Sequence, residues 1–149
     1  MNDEPLILDT DTLSELSRGN RFIKARALAY LNRFGRLTIT AVSVFERLRG
    51  YRAALREGKP YEAQLQAFLV LAGSSVVLPF DEEAAVVAAS IWGDVPRRLR
   101  HDLGDILIAS VAVSRQLALV TRNRRDFERI IDASGIDLRI VDWSKPSPG

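Results

Sequence analysis

Cysteine is absent from the 149-residue chain, and histidine occurs once, as His101. Without cysteine there are no disulfides, no thiolate nucleophile and no cysteine-ligated zinc or iron–sulfur cluster. A single histidine excludes sites built from several histidines, and any Ser-His-Asp triad would depend on His101. Catalytic chemistry is therefore left to carboxylates, hydroxyls, amides and arginines.

A large excess of charge is also lacking, since 21 basic and 19 acidic residues give a net charge of +2. This balance excludes a highly charged disordered tail and does not by itself indicate a nucleic-acid binder. The acidic N-terminus is unlike a secretory signal. The longest uncharged stretch, 63–80, contains glutamines, a Gly-Ser-Ser break and a proline, so it is typical of a helix, a turn and a strand. We expect a cytoplasmic protein with no membrane contact.

Short apolar runs alternate with helical patterns along the whole chain. Unbroken apolar strands separated by helices predict an α/β fold, a three-layer α/β/α sandwich around a short, mainly parallel sheet covered on both faces. The length predicts a single domain, 1–149. Ligands of such sheets bind beyond the carboxyl ends of the strands. The predicted strands are 6–8, 37–40, 76–78, 117–121 and 138–141.

Asp9 directly follows the first predicted strand. An aspartate at such a place commonly caps a helix. Asp11 and Thr12 are better placed to cap the helix predicted over 13–18, so we interpret Asp9 as surplus to capping and as a candidate functional residue.

Two further acids lie near predicted strand ends or helix starts. Glu46 follows the second strand on a helix, and its position is equally compatible with an exposed acid paired to Arg49. Asp105 lies in the first turn of an apolar helix, where the helix dipole favours an acid. Asp102 occupies the predicted N-cap, and the spacing to Ala109 turns Asp105 inward. A buried carboxylate requires a compensating charge, which a metal ion supplies.

Polar side chains also follow the fourth strand, namely Thr121, Asn123 and Asp126. A polar turn explains Asn123 equally well, and an N-cap of a helix over 126–132 explains Asp126. Several carboxylates at one place repel each other and raise a pKa, unless a cation is bound. Mg²⁺ or Mn²⁺ prefers oxygen ligands and activates water for attack on a phosphodiester.

Four segments, in this order, resemble the motifs of PIN-domain ribonucleases, most closely the VapC toxins of bacterial toxin–antitoxin modules. They are LDTDTLSEL, SVFERLRG, LGDILIASVA and LVTRNRRDFERI, and the resemblance spans about Leu6 to Trp143. It implies a PIN-like nuclease domain in which Asp9, Glu46 and Asp105 bind Mg²⁺, with Mn²⁺ as a possible substitute. Thr121 would help to hold the site.

The resemblance leaves one site position open. The family often has a fourth acid directly after the Thr-Arg pair, where this chain has Asn123. Many relatives carry asparagine there with a following aspartate, as Asp126 does here. Asn123 and Asp126 therefore both stay candidates for that role.

The implied activity is hydrolysis of RNA, in which water attacks a phosphate in line and the 3′-oxygen leaves, giving a 5′-phosphate product. The resemblance also implies a cognate antitoxin and a homodimer. Arginines grip phosphates through a planar fork, and two clusters are candidate RNA contacts, although a solvated basic loop explains any single arginine. They are Arg97, Arg98 and Arg100, and Arg122, Arg124 and Arg125.

Three alternatives compete with this interpretation. A strand followed by Asp9 and Asp11 is similar to haloacid-dehalogenase-like phosphatases, with Asp9 as nucleophile and Asp11 as general acid. Against it, Leu13 stands where that family normally has threonine or valine, and no lysine follows a suitable strand to hold the phosphate. Asn123 permits a catalytically silent PIN-like binding module, although the three intact acids count against it. A PIN nuclease of RNA processing, without a toxin role, is the third alternative.

Overall fold

Five short parallel strands form one sheet at the centre of the computed structural model, which describes residues 4–100 and 103–146. The first strand pairs with the second and the fourth, so it occupies the middle of the sheet. In spatial order the strands run β3, β2, β1, β4, β5. Their bounds are β1 Leu6–Leu8, β2 Thr38–Thr40, β3 Val76–Leu78, β4 Ala118–Val120 and β5 Ile140–Val141.

Helices connect the strands. A short 3-10 helix, Arg97–Leu99, lies between the fifth and the sixth α-helix. The helix that follows β4 has a strongly amphipathic pattern, with Phe127 and Ile130 buried. Among the described residues, no helix is long and apolar enough to cross a membrane. The helices are α1 Thr10–Ser17, α2 Arg21–Phe34, α3 Ala41–Arg56, α4 Glu62–Gly73, α5 Glu82–Asp94, α6 Leu103–Arg115 and α7 Arg124–Ser134.

The two faces of the sheet carry separate apolar clusters. Successive side chains of a strand point to opposite faces. Accordingly Leu8 packs with Leu13, Ile23 and Ile39 on one face, whereas Ile7 packs on the other with α6 and α7. Both residues are fully buried. This arrangement confirms the predicted three-layer α/β/α sandwich.

Strand β3 departs from the expectation that both faces of the sheet are covered. Val76 and Val77 are 38% and 39% exposed, although the central strands are almost completely buried. The reason is its position, because β3 is the last strand in the order and has a neighbour on one side only.

Two predicted helix starts were too late. The first helix begins at Thr10, because the chain passes from β1 into α1 with Asp9 as the only residue between them. Helix α7 begins at Arg124, so Asn123 stands at the N-cap position and the predicted N-cap role of Asp126 is wrong. The Asn123 N–H donates to Thr121 Oγ1 over 2.9 Å, which closes the preceding turn and lets the helix start early. His101 and the predicted N-cap Asp102 lie outside the described residues.

Candidate metal and active site

The carboxyl ends of β1 and β4 lie side by side, at the place where the order of strands in the sheet reverses. From β1 the chain builds outward to β3 on one side, and it then returns to add β4 on the other. Such switch points leave a crevice beyond the strand ends. Asp9 and Thr121 are the first residues after the two strands, and the Asp9 N–H donates to Val120 O over 3.0 Å.

Asp9 caps helix α1, so the prediction that it is surplus to capping was wrong. Its Oδ1 accepts from the Thr12 N–H over 2.8 Å. Asp11 and Thr12 already lie inside the helix and cannot serve as its cap. The cap does not exhaust the carboxylate, because two oxygens offer about four acceptor positions.

Burial has the largest effect on the pKa of Asp9, because this residue is only 3% exposed. Loss of water raises its pKa to about 6, against the lowering effect of hydrogen bonds from the Thr121 hydroxyl and from Thr12. The neighbouring charge of Asp11 raises the pKa further. The folded chain thus holds a carboxylate in a place that disfavours its charge.

Glu46 is hydrogen-bonded to the residue that directly follows Asp9 in the chain. Thr10, next to Asp9 in the chain, donates its hydroxyl to Glu46 Oε1 over 2.7 Å, and Ser43 Oγ lies 2.9 Å from the same hydroxyl. Arg49 Nη2 is 3.9 Å from Glu46 Oε2, a long contact from a largely exposed arginine. Glu46 thus contacts Thr10 beside the end of β1 and also Arg49 on its own helix, so both interpretations of Glu46 stay open.

Gly104 joins the third acid to this arrangement, and the sequence reasoning missed it. A Cβ added to Gly104 would contact Glu46 Oε2 and lie 3.0 Å from Glu46 Cδ. The Glu46 carboxylate therefore packs against the start of α6, where Asp105 occupies the first turn half-buried. The signal available in the sequence was a glycine in the first turn of a helix, directly before a candidate acid.

The donors at these strand ends are oxygen atoms of the kind that a hard divalent cation prefers. Among residues 4–100 and 103–146, no three acidic or histidine side chains are grouped closely enough to form a metal site in this structure. Two observations still fit a cation by chemistry. Asp9 is a desolvated carboxylate, and the Glu46 carboxylate occupies the space that a Cβ at residue 104 would fill.

The remaining predicted site residues divide into two groups. Thr121 is fully buried, and its hydroxyl donates to Asp9 while it accepts from the Asn123 N–H. Thr121 and Asn123 thus belong to the Asp9 end of the site. The Asp126 carboxylate forms no hydrogen bond or ion pair with any residue in the described part of the chain.

The two arginine clusters differ in how their charges are balanced. Arg122 pairs with Asp11 over 3.0 Å and with Glu15 over 3.2 Å, and the hydrogen bond to Asp11 raises the pKa of its guanidinium. Arg124 pairs with Glu128 over 2.9 Å. In the other cluster Arg100 stacks over Trp92 and donates to its carbonyl oxygen. Of the arginines in these two clusters, Arg97, Arg98 and Arg125 are exposed and have no ion pair with the described residues.

Comparison with known proteins shows the family and the fold of the chain. Residues 6–132 match the family model of the PIN domain. Over 127 residues the chain is 30% identical to ribonuclease VapC1 of Rickettsia felis, which covers 84% of this chain and 90% of that protein. These matches select the nuclease family over the phosphatase alternative.

Solved structures show the same fold. VapBC-1 from nontypeable Haemophilus influenzae has a TM-score of 0.71 at 24% identity, covering 95% of this chain and all of that one. DNA-bound VapBC from Salmonella typhimurium has a TM-score of 0.70 at 26% identity, covering 93% and 98%.

Replacing Asp9 by asparagine is expected to stabilise the metal-free protein at neutral pH. Asparagine caps helices as well as aspartate does, and it carries no charge to desolvate. Because the pKa of Asp9 is raised to about 6 from 3.8, the wild type loses stability as pH rises from about 4 to about 6. The advantage of the variant grows over that window, to about 3 kcal/mol at most, and is constant above it.

Urea unfolding in the presence of a chelator, at several pH values, measures this difference. Asp81→Asn is the matched control, because Asp81 caps α5 in the same way but is 38% exposed and pairs with Arg115. We expect no stabilisation from the control. A wild type that is more stable than Asp9→Asn at neutral pH would contradict the assignment of a desolvated charge to Asp9.

Proposed function

The chain belongs to the PIN-domain family of nucleases, and we propose that it is a magnesium-dependent endoribonuclease, the toxin of a toxin–antitoxin pair. The observation that carries the proposal is the contact series at the strand ends, in which Asp9, Thr10 and Glu46 lead to Gly104 at the start of α6. Asp105 directly follows Gly104, so the segment that carries the third acid starts beside the carboxylate of Glu46.

Asp9, Glu46 and Asp105 would hold Mg²⁺, and Mn²⁺ is a possible substitute. When bound, the ion polarises the phosphate, lowers the pKa of water and stabilises the charge that develops during attack. The protein contributes by fixing the orientation of the carboxylates. Thr12 and Thr121 fix the orientation of the Asp9 carboxylate, and Thr10 fixes that of Glu46.

The burial of Asp9 adds a driving force for cation binding. A carboxylate that has lost its water gains more from a nearby positive charge than an exposed one does. Protons and cations compete for it, because its pKa is raised to about 6. Cation binding is therefore expected to weaken as pH falls below that value.

The reaction is hydrolysis of an RNA phosphodiester. Oxygen of a water molecule bonds to phosphorus in line with the bond to the 3′-oxygen, which breaks. A proton from water ends on the 3′-oxygen, so the products are a 3′-hydroxyl and a 5′-phosphate. For substrate contact we favour the exposed arginines Arg97, Arg98 and Arg125, because Arg122 and Arg124 are already paired with acids.

We also propose a cognate antitoxin and a homodimer as partners, both met in the cytoplasm. Similarity to VapBC proteins supports the first. A housekeeping role in RNA processing is the alternative that the toxin test below distinguishes.

RNA cleavage is expected to require Mg²⁺ and an intact Asp9. Asp9→Asn keeps the helix cap but removes the charge, so cleavage should fall by about 10³-fold, equivalent to several kcal/mol of transition-state stabilisation. The measurement is cleavage of labelled single-stranded RNA with Mg²⁺ and with a chelator. Asp137→Asn is the control, since Asp137 lies with Ala118 and Arg139 at the opposite end of β4. Equal cleavage by wild type and Asp9→Asn would refute the proposed site.

A side chain at residue 104 is expected to damage activity more than folding. Gly104→Val should push the carboxylate of Glu46 away from α6, and a displacement of about 1 Å can cost about 10²-fold in rate. Gly93→Val is matched, because Gly93 is also helical and has open space where a Cβ would lie. Cleavage rates and unfolding curves of both variants check this. If Gly104→Val cleaves RNA as fast as Gly93→Val, the positioning role of Gly104 is wrong.

Expression of the chain without a partner protein is expected to arrest bacterial growth. Asp105→Ala should relieve the arrest, because it removes one of the three proposed metal ligands. Growth curves after induction, with protein levels matched by immunoblot, measure the effect. Arrest by Asp105→Ala as strong as by wild type would exclude that role for Asp105, and no arrest by an RNA-cleaving wild type would favour the processing role.

A further inference from the structure

Arg47 follows Glu46 on α3, and the described residues that contact its guanidinium do so through neutral groups. Its Nη1 donates to Ser14 Oγ over 2.8 Å, and its Nη2 donates to Ser17 Oγ over 3.4 Å and to the Tyr51 hydroxyl. The guanidinium stacks on the rings of Tyr51 and Phe68, with centroids 4.9 and 5.6 Å away. These contacts fix the orientation of a side chain that is otherwise flexible.

No carboxylate within residues 4–100 and 103–146 pairs with this cation. Arg18, Arg49, Arg115, Arg122 and Arg124 each have an acidic partner, whereas Arg47 has none. Its Nε is buried without a hydrogen-bond acceptor, and in the described part of the chain no other buried side-chain nitrogen or oxygen shares that condition. A half-buried charge without compensation is costly, so such a group commonly has a functional reason.

A groove of about 250 Å³ connects Arg47 with the candidate active site. Glu46 lines one part of the groove. Tyr61, which is 40% exposed, lines another part. Gly50 lines it as well, and nothing lies within 4 Å of the place where its Cβ would be. A strand of RNA whose cleaved phosphate lies beside Glu46 would continue into this groove.

We propose that Arg47 binds a backbone phosphate of the RNA, next to the phosphate that is cleaved, and so positions the strand. This inference rests on the proposed ribonuclease function. A guanidinium matches the oxygens of a phosphate, and an exposed tyrosine ring offers a surface on which a base stacks. The phosphate supplies the negative charge that Arg47 lacks. It also sets the strand beside an acidic site that would otherwise repel it.

The salt dependence of RNA binding tests this without any cleavage. Each phosphate neutralised on a single strand contributes about 0.7 to the slope of log affinity against log salt concentration. With a short single-stranded RNA of randomised sequence, and a chelator to prevent cleavage, Arg47→Gln should therefore reduce the slope by about 0.7. Arg52→Gln, on the exposed face of the same helix, should leave the slope of the wild type unchanged.

A second variant keeps the guanidinium in place. Ser14→Asp puts a carboxylate where the hydroxyl contacts Nη1, so Arg47 gains an internal ion pair and should lose the phosphate to a similar extent. This variant decides the question if Arg47→Gln does not fold. In cleavage assays with Mg²⁺, Arg47→Lys should raise KM several-fold with little change in kcat, as expected for a positioning residue.

The outcomes separate the two proposals. A wild-type slope in both Arg47→Gln and Ser14→Asp would overturn the role of Arg47 and leave the ribonuclease proposal standing. Failure of the wild type to bind RNA would overturn both. Binding of oligoglutamate that depends on Arg47, with an unchanged RNA slope, would assign the groove to an acidic protein segment and also overturn the inference.

Discussion

The burial of one carboxylate at the junction of β1 and α1 is the constraint on which the site depends. Asp9 caps the helix, and it stands between the central strand and the residues that follow β4. Its pKa is raised to about 6 because burial removes water from it. The fold thus places a destabilised charge where the chain reverses its path across the sheet. Such a group is expected where function, rather than stability, determines the residue.

The other acids are positioned relative to Asp9 by small residues. Thr10 follows Asp9 directly and holds Glu46 through its hydroxyl. Gly104 then brings the start of α6 against the same carboxylate, with Asp105 next along the chain. The residue after Glu46, Arg47, carries a charge that no acid in the described ranges balances. One short segment of α3 therefore faces both the proposed metal and the proposed strand of RNA.

The sequence predicted the strands and the layers because apolar runs and helical periods are local signals. It also placed Asp9, Glu46 and Asp105 near strand ends or helix starts. It failed where the outcome depended on backbone geometry, since the capping role of Asp9 follows from the absence of a turn between β1 and α1. Gly104 and Arg47 were missed because their importance lies in contacts with residues distant in the chain. Pairing of Arg122 with Asp11 was hidden for the same reason.

Proton release on Mg²⁺ binding tests the central claim most directly. Titration calorimetry in buffers of different ionisation enthalpy measures it at pH 5.5 and at pH 8. Because the pKa of Asp9 is raised to about 6, we predict release of a proton at the lower pH and almost none at the higher one. Asp9→Asn should show neither strong binding nor release. Binding of Mg²⁺ by Asp9→Asn with the affinity of the wild type would contradict the account.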